Sequence, residues 1–330
     1  MYICRQIGIT HKEMFLYNRV NKKELRKKVA AEPFKRITMS FYRYVHIDEP
    51  EKLRDELYAY WQSVKVYGRI YLAHEGINAQ LSVPEHFVMD FINYLYKNPL
   101  FKDVPIKQAV EDDSKSFFAL KMKVRPKIVA DGLRDETFDP SNTGTRLDAV
   151  TFNKKLAEPD TLVVDMRNNY ESEVGRFENA ICPDVKTFRE LLPVAVKDLA
   201  DKKDKEILLY CTGGIRCEKA SAYLKHNGFK NVYQLDGGII QYAREMERLG
   251  MKSKFIGKNF VFDERMGERI TQDVISKCHT CGEASDRQVN CSLLSCHTLV
   301  IQCEKCASEM KSFCSDKCYN EYTESAAKAS

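Results

Sequence analysis

Long apolar runs are missing from this sequence: none of its 330 residues lies in a stretch near the ~20 apolar residues that a membrane span requires. The opening Met1-Tyr-Ile-Cys-Arg-Gln also lacks the basic segment, apolar core and small-residue cleavage site of an export signal. Both absences point to a cytoplasmic protein with no membrane partner. Net charge is slight, at +5, so attraction for a polyanion would have to come from local patches. No two-histidine-one-carboxylate iron triad and no flavin or dinucleotide fingerprint stands out, so the residues by themselves indicate no redox cofactor. The rest of the composition, 44% hydrophobic and 30% charged, is that of an ordinary soluble protein with room for two or three domains. The patterns along the chain favour three.

Cysteine, by contrast, is abundant. Eight of the twelve cysteines fall between Cys278 and Cys318, and in a reducing compartment such a cluster favours metal over disulfides. The close pairs Cys278/Cys281, Cys291/Cys296, Cys303/Cys306 and Cys314/Cys318 supply thiolates for one or two tetrahedral structural zinc ions, and so short a segment needs such a staple to fold. One arrangement joins Cys278, Cys281, Cys303 and Cys306 around one ion and Cys291, Cys296, Cys314 and Cys318 around another. A sequential arrangement is equally allowed by spacing. His279 and His297 are spare ligands, and the role is structural or RNA-binding.

A second concentration of chemistry lies at Ile207-Leu-Leu-Tyr-Cys211-Thr-Gly-Gly-Ile-Arg216-Cys217. An apolar strand would deliver the Cys211 sulfur to the carboxyl edge of a parallel sheet, where open α/β folds bind ligands. Gly213 and Gly214 permit positive φ, so the N–H groups of Thr212, Gly213, Gly214 and Ile215 can form an anion-binding loop above a helix from about Arg216 to His226. Those donors, the helix dipole and Arg216 all favour a thiolate, which marks Cys211 as a nucleophile. Four residues separate Cys211 from Arg216, the short cradle of rhodanese-type sulfur-transfer loops rather than the longer one of cysteine phosphatases. Cys217 reads either as a resolving thiol or as a small apolar residue in a first helical turn.

Taken in order, residues 1–36 form a basic extension with ten Lys or Arg against three acids, densest at Lys22-Lys-Glu-Leu-Arg-Lys-Lys28. It is either a phosphate-backbone contact or a solvated helical face. Residues 37–125 read as strand (Ile37–His46), helix (Asp48–Ser63), strand (Tyr67–Ala73), strand (Ile77–Val83), helix (Pro84–Lys97) and strand (Phe117–Val124). That βαββαβ order predicts a ferredoxin-like or acylphosphatase-like sandwich. Lys121, Lys123, Arg125 and Lys127 alternate on its last strand, with Tyr71, Phe117 and Phe118 available either for base stacking or for core packing. His74, Glu75 and Gly76 sit in a hairpin that is either a ligand contact or a satisfied turn.

A linker over 126–147 precedes a second domain at 148–252, with a helix over Asp148–Ala157, a strand over Thr161–Asp165 and a helix over Val185–Leu191. It ends with a strand over Val232–Leu235 and the pair Gly237-Gly238, which would let backbone approach the Cys211 loop closely. Asp165 and Arg167 end the first of these strands and either brace the Cys211 loop or form a structural ion pair. A connector over 253–277 carries Lys254, Lys258, Arg265 and Arg269, which line an approach to the site or are simply solvated. The cysteine-rich segment occupies 278–320, and 321–330 reads as a disordered tail.

With Tyr71-Leu-Ala-His-Glu-Gly-Ile-Asn-Ala-Gln80, Tyr210-Cys-Thr-Gly-Gly-Ile-Arg-Cys-Glu-Lys-Ala220, Phe260-Val-Phe-Asp-Glu-Arg-Met-Gly-Glu-Arg269 and the cysteine array in view, nearly the whole chain resembles the bacterial tRNA uridine hydroxylases. This rhodanese-containing family forms 5-hydroxyuridine at wobble position 34. The resemblance implies oxygen-dependent hydroxylation, molecular oxygen as co-substrate, the tRNA anticodon region as partner and Cys211 as functional cysteine; the cradle around Cys211 suits a persulfide or a peroxidised thiol there, and a sulfur or electron donor protein is the further partner expected. The resemblance names no electron source. Tyr242 stands where many rhodaneses have tryptophan. Two other classes fit the residues: a plain sulfurtransferase carrying a cysteine persulfide, and a zinc-dependent RNA-binding module.

Overall fold

A computed structural model of the chain describes residues 20–133 and 138–329, so the first half of the basic extension, residues 1–19, lies outside the described residues. The described chain forms two compact units, one reaching Ala130 and including Asp263–Arg265, the other made of Asp131–Phe262 and the residues from Met266 onward. No described helix is long and apolar enough to cross a membrane.

The first unit contains α1 (Lys22–Ala30), β1 (Arg36–Tyr44), α2 (Pro50–Ser63), β2 (Tyr67–Ala73), β3 (Gly76–Pro84), α3 (Val88–Lys97), β4 (Lys107–Gln108) and β5 (Leu120–Val124). Strand alternation sends Met39, Phe41, Ile70, Leu72, Ile77, Ala79 and Leu81 to one face, where they pack against Leu53, Leu57 and Trp61 of α2 and Phe91 and Leu95 of α3. The sheet order is β4-β1-β3-β2-β5. β3 lies antiparallel between β1 and β2, and β4 pairs antiparallel with β1. The predicted sandwich is therefore present, but its last strand differs from the sequence reading. The element closing the βαββαβ unit beside β1 is the two-residue β4, too short to leave an alternating pattern. Leu120–Val124 instead crosses to the opposite edge and runs parallel to β2.

The second unit holds a four-stranded parallel sheet of order β6-β10-β9-β7, from β6 (Thr145–Leu147), β7 (Thr161–Asp165), β9 (Glu206–Tyr210) and β10 (Asn231–Leu235). Around it stand α4 (Ala149–Lys155), α5 (Asn169–Ser172), α6 (Phe188–Asp198), α7 (Ile215–His226) and α8 (Gly238–Leu249). Asp148 caps α4 by accepting from Thr151 N at 2.7 Å. The helix expected over Val185–Leu191 starts later and runs further. Thr187 and Glu190 form a capping box at its start, and Leu191, Leu192 and Ala195 continue its buried face past Pro193.

The stretch read as a connector contains two short strands. β11 (Phe255–Asn259) pairs antiparallel with β8 (Gly175–Phe177), and Phe255 joins Phe177, Tyr210 and Tyr242 in the core of this unit. β11 also pairs with β12 (Glu268–Arg269). The cysteine-rich segment belongs to the same unit, with a hairpin of β13 (Gln288–Asn290) and β14 (Leu299–Ile301) followed by α9 (Glu304–Glu309) and α10 (Asp316–Ala329). The tail read as disordered continues α10 instead. Residues 321–329 carry neither Gly nor Pro, and Tyr322 packs at a tilt against Phe313 with ring centroids 5.1 Å apart.

Candidate active site and cysteine clusters

β9 is buried along its length and ends at Tyr210, so Cys211 emerges at the carboxyl edge of the parallel sheet and is itself fully buried. Gly214 adopts φ +98° and caps α7, which begins one residue before the predicted start. Only Gly214 of the glycine pair has positive φ, so the turn needs one left-handed residue rather than two. The Gly214 N–H donates to Cys211 Sγ at 3.2 Å. Gly238, with φ +67°, closes the loop from the other side. A Cβ there would stand 2.5 Å from the Cys211 carbonyl oxygen, so glycine is required, in agreement with the close approach read from the sequence.

Burial pushes the Cys211 thiol up, but the Cys217 side chain, the Arg216 charge and the backbone N–H groups of Cys217 and Arg216 act against it and lower it to about 6. Cys217 is the complement of this arrangement. Burial first, then its hydrogen bond to Cys211, pushes its thiol well above the ordinary range, so it stays protonated and donates. Neither of the two roles read from the sequence anticipated this one.

Arg216 is clamped rather than free. Its Nη1 and Nη2 donate to Glu171 Oε1 at 2.6 Å and Oε2 at 2.9 Å, a bidentate pair, and Nη2 also donates to Thr212 Oγ1 at 3.1 Å. Glu171, fully buried, also accepts from Asn168 N at 3.0 Å. Sequence reasoning gave this glutamate no role. Asp165 and Arg167 lie deeper and do not join the loop. Arg167 Nη2 donates to Asp165 Oδ2 at 2.6 Å and to the Gly175 carbonyl at 2.6 Å, and Asp165 Oδ2 accepts the Tyr210 hydroxyl at 2.7 Å. The pair thus holds Tyr210, the residue preceding Cys211. Tyr242 fills the expected tryptophan position, donating to Asn153 Oδ1 at 2.6 Å and accepting from Lys254 N at 2.9 Å.

Several conspicuous charges elsewhere are locally tied. Lys254 Nζ donates to the Asn153 carbonyl, Lys258 and Arg269 pair with Asp286, and Arg265 pairs with Asp263, so these cations are tied locally rather than simply solvated. His74 bonds the Ile47 carbonyl at 2.9 Å, and Glu75 accepts from Ile128 N at 2.8 Å. The hairpin is a satisfied turn. In α1, Lys22 and Arg26 both pair with Glu264.

The eight clustered cysteines collect into two four-sulfur groups: Cys278, Cys281, Cys303 and Cys306, and Cys291, Cys296, Cys314 and Cys318, with donor atoms in each within 4.8 Å of one another. Of the two arrangements that spacing allowed, the chain folds into the interleaved one. A tetrahedral zinc–thiolate site with ~2.3 Å bonds has edges of about 3.8 Å. Cys281–Cys303 are 3.8 Å apart, and Cys296–Cys314 and Cys314–Cys318 are 3.5 Å apart, so the donor set fits such an ion. Backbone N–H groups of Cys303 and Cys314 donate to Cys278 and Cys291 sulfur at 3.4 Å, as anionic thiolates require. Neither histidine joins a group. The segment also packs against α5, where Gln288 Nε2 donates to the Tyr170 carbonyl at 2.7 Å and His279 meets Glu173 at 2.7 Å.

Family profiles match in three blocks: a UPF0176 acylphosphatase-like domain over 36–128, a rhodanese-like domain over 148–245 and a rhodanese C-terminal segment over 256–319. Over 307 residues, 93% of this chain, it is 53% identical to the tRNA uridine(34) hydroxylase of Photorhabdus laumondii, of which it covers 87%. The chain belongs to the tRNA uridine(34) hydroxylase family. Proteins of that name from an Enterobacter strain and from Salmonella gallinarum are 52% and 53% identical over the same share of this chain, and 88% of each is covered. The resemblance read from the Cys211 loop, the Tyr71–Gln80 hairpin and the cysteine array is thereby borne out over 93% of the chain. In this chain the acylphosphatase-like and rhodanese-like domains occur together.

Proposed function

We propose that this protein hydroxylates C5 of uridine 34 in tRNA, in the cytoplasm. The observation that carries the reading is 53% identity across 93% of the chain to proteins bearing that name. The overall balance converts uridine, molecular oxygen, two electrons and two protons into 5-hydroxyuridine and water. The electrons come from a donor outside this chain, which we take to be a protein partner.

Within the second unit we assign the reactive sulfur to Cys211. It is held as a thiolate at neutral pH, with N–H donors converging on it and Cys217 donating a further hydrogen bond. Such a ring suits a sulfur-bound species carrying extra negative charge, a persulfide or a peroxidised thiol. Thr212, Gly213, Gly214 and Ile215 form its cradle. Arg216 supplies positive charge and Glu171 fixes its orientation, while Asp165 and Arg167 position the strand end through Tyr210. We assign one zinc ion to each four-sulfur group, where it would supply structural cross-linking and no chemistry.

The test is nucleoside mass spectrometry of tRNA from cells lacking the gene, complemented with wild type or Cys211→Ala. Restoration of 5-hydroxyuridine-derived wobble nucleosides by wild type alone supports the reading, and full restoration by Cys211→Ala overturns the assignment of the sulfur. The rhodanese-like match favours one second reading, sulfur transfer. Thiocyanate-forming turnover without tRNA, with an unchanged nucleoside profile, would select it.

A further inference from the structure

Helices α2 and α3 cover one face of the first unit's sheet, which leaves the composition of the other face to be explained. Register fixes its members. Ser40 lies opposite Lys107 and Gln80, Gln80 opposite Arg69, and Arg69 opposite Lys121, so these residues form one row across the sheet. Tyr42, Asn78, Tyr71 and Lys123 form the next row by the same pairings. Neither row contains an acid. Arg69, Lys121 and Lys123 are exposed, and Tyr71 is half-exposed beside Lys123. Lys107 sits 4.8 Å over the Tyr42 ring.

Stability does not call for this composition. The apolar core is complete on the helix side without these residues. Lys121 and Lys123 are two residues apart on one strand, about 6.6 Å, with side chains on the same face. That spacing suits successive phosphates of a nucleotide chain. Tyrosines between the cations present flat π surfaces, on which unstacked bases sit, whereas a paired helix offers none of its base faces.

We propose that the open sheet face around Arg69, Tyr71, Lys121 and Lys123 binds single-stranded RNA, the loop of the tRNA substrate. This rests on the reading that tRNA is the substrate and adds the surface that holds it. The cations neutralise backbone phosphates and Tyr71 stacks on a base.

The experiment is fluorescence anisotropy with the full chain and a labelled tRNA transcript over a range of salt concentrations. It compares wild type with a triple variant (Arg69→Gln, Lys121→Gln, Lys123→Gln), and also with Tyr71→Ala and Tyr71→Phe. The triple variant should bind at least about tenfold more weakly. Its slope of log affinity against log salt should fall by about 2, from three lost phosphate contacts at ~0.7 each. Tyr71→Ala should lose about five- to a hundredfold and Tyr71→Phe should recover it. The three cations are exposed, so urea unfolding of the triple variant should match wild type and reports that the protein is intact. Unchanged affinity and slope in the triple variant, with wild type binding normally, would overturn the surface and leave the hydroxylase reading standing. A wild-type protein that does not bind tRNA overturns both. Wild-type binding that the triple variant loses, without any change in wobble nucleosides in the gene-deletion test, upholds the surface and overturns the reaction.

Discussion

On the open sheet of the first unit, Arg69, Lys121 and Lys123 stand in solvent, whereas around Cys211 the groups Asp165, Arg167, Glu171 and Arg216 are withdrawn from it and paired with one another. The same kinds of side chain thus serve opposite ends. An exposed cation costs little to keep and can exchange its contacts for a polyanion, but it fixes no geometry. A buried pair costs desolvation and becomes worthwhile where one orientation must hold, as for Arg216 at the Cys211 loop. The first unit is suited to binding a ligand that varies in conformation, and the second to holding one sulfur in one ionisation state.

Removing metal should separate the two units most strongly. Chelation, checked by metal analysis, is expected to unfold residues 278–318, seen as rapid tryptic cleavage there. It should also disturb Cys211 alkylation, because α5 loses the contacts of Gln288 with Tyr170 and of His279 with Glu173. Helices and sheet of the first unit should keep their protection. A metal-free protein that stayed resistant would break the comparison at its base.

Next in size is Glu171→Gln, which strips the carboxylate from a buried guanidinium. Urea unfolding should show a loss on the order of 3 kcal/mol. If the loss were no greater than for an exposed residue, the clamp on Arg216 would be incidental.

Cys217→Ala tests the thiol donor. The midpoint for Cys211 alkylation should rise from about 6 towards about 7, the worth of one hydrogen bond to a charged group. An unmoved midpoint would make Cys217 a packing residue. Because the folded Cys211 loses its proton more readily than the unfolded thiol, its ionisation adds stability that is fully present above the unfolded value of ~8.5. That contribution is lost as the pH falls through about 6, and Cys217→Ala should narrow the window from below.

The smallest effect is expected at the open face. Lys123→Gln should leave unfolding free energy within about 0.5 kcal/mol of wild type, since the side chain is exposed. A larger loss would mean that this face is structural and would weaken the contrast between the units.

Much of this was legible in local pattern. The limits of β2 and β7 and the strand-to-helix turn after Cys211 follow from apolar periodicity and glycine, and the cysteine pairs announce themselves by spacing. β4 was not legible, because two residues carry no period, and its absence from the pattern misassigned Leu120–Val124. The connector hid β11 for a related reason: its strand character depends on pairing with Gly175–Phe177, far away in sequence.

The sequence by itself determined which chemistry is present: a thiol before a glycine turn and an arginine, eight soft ligands in four pairs, and alternating cations on a strand. Each of these is written in spacings shorter than a helix. Only the tertiary structure decided how they are used. It brought Glu171 to Arg216 across 45 residues, set Cys217 as a donor to Cys211, chose the interleaved cysteine groups over the sequential ones, and put Arg69 and Lys121 side by side. Those outcomes depend on pairings between distant segments, which chain packing selects and local spacing does not encode.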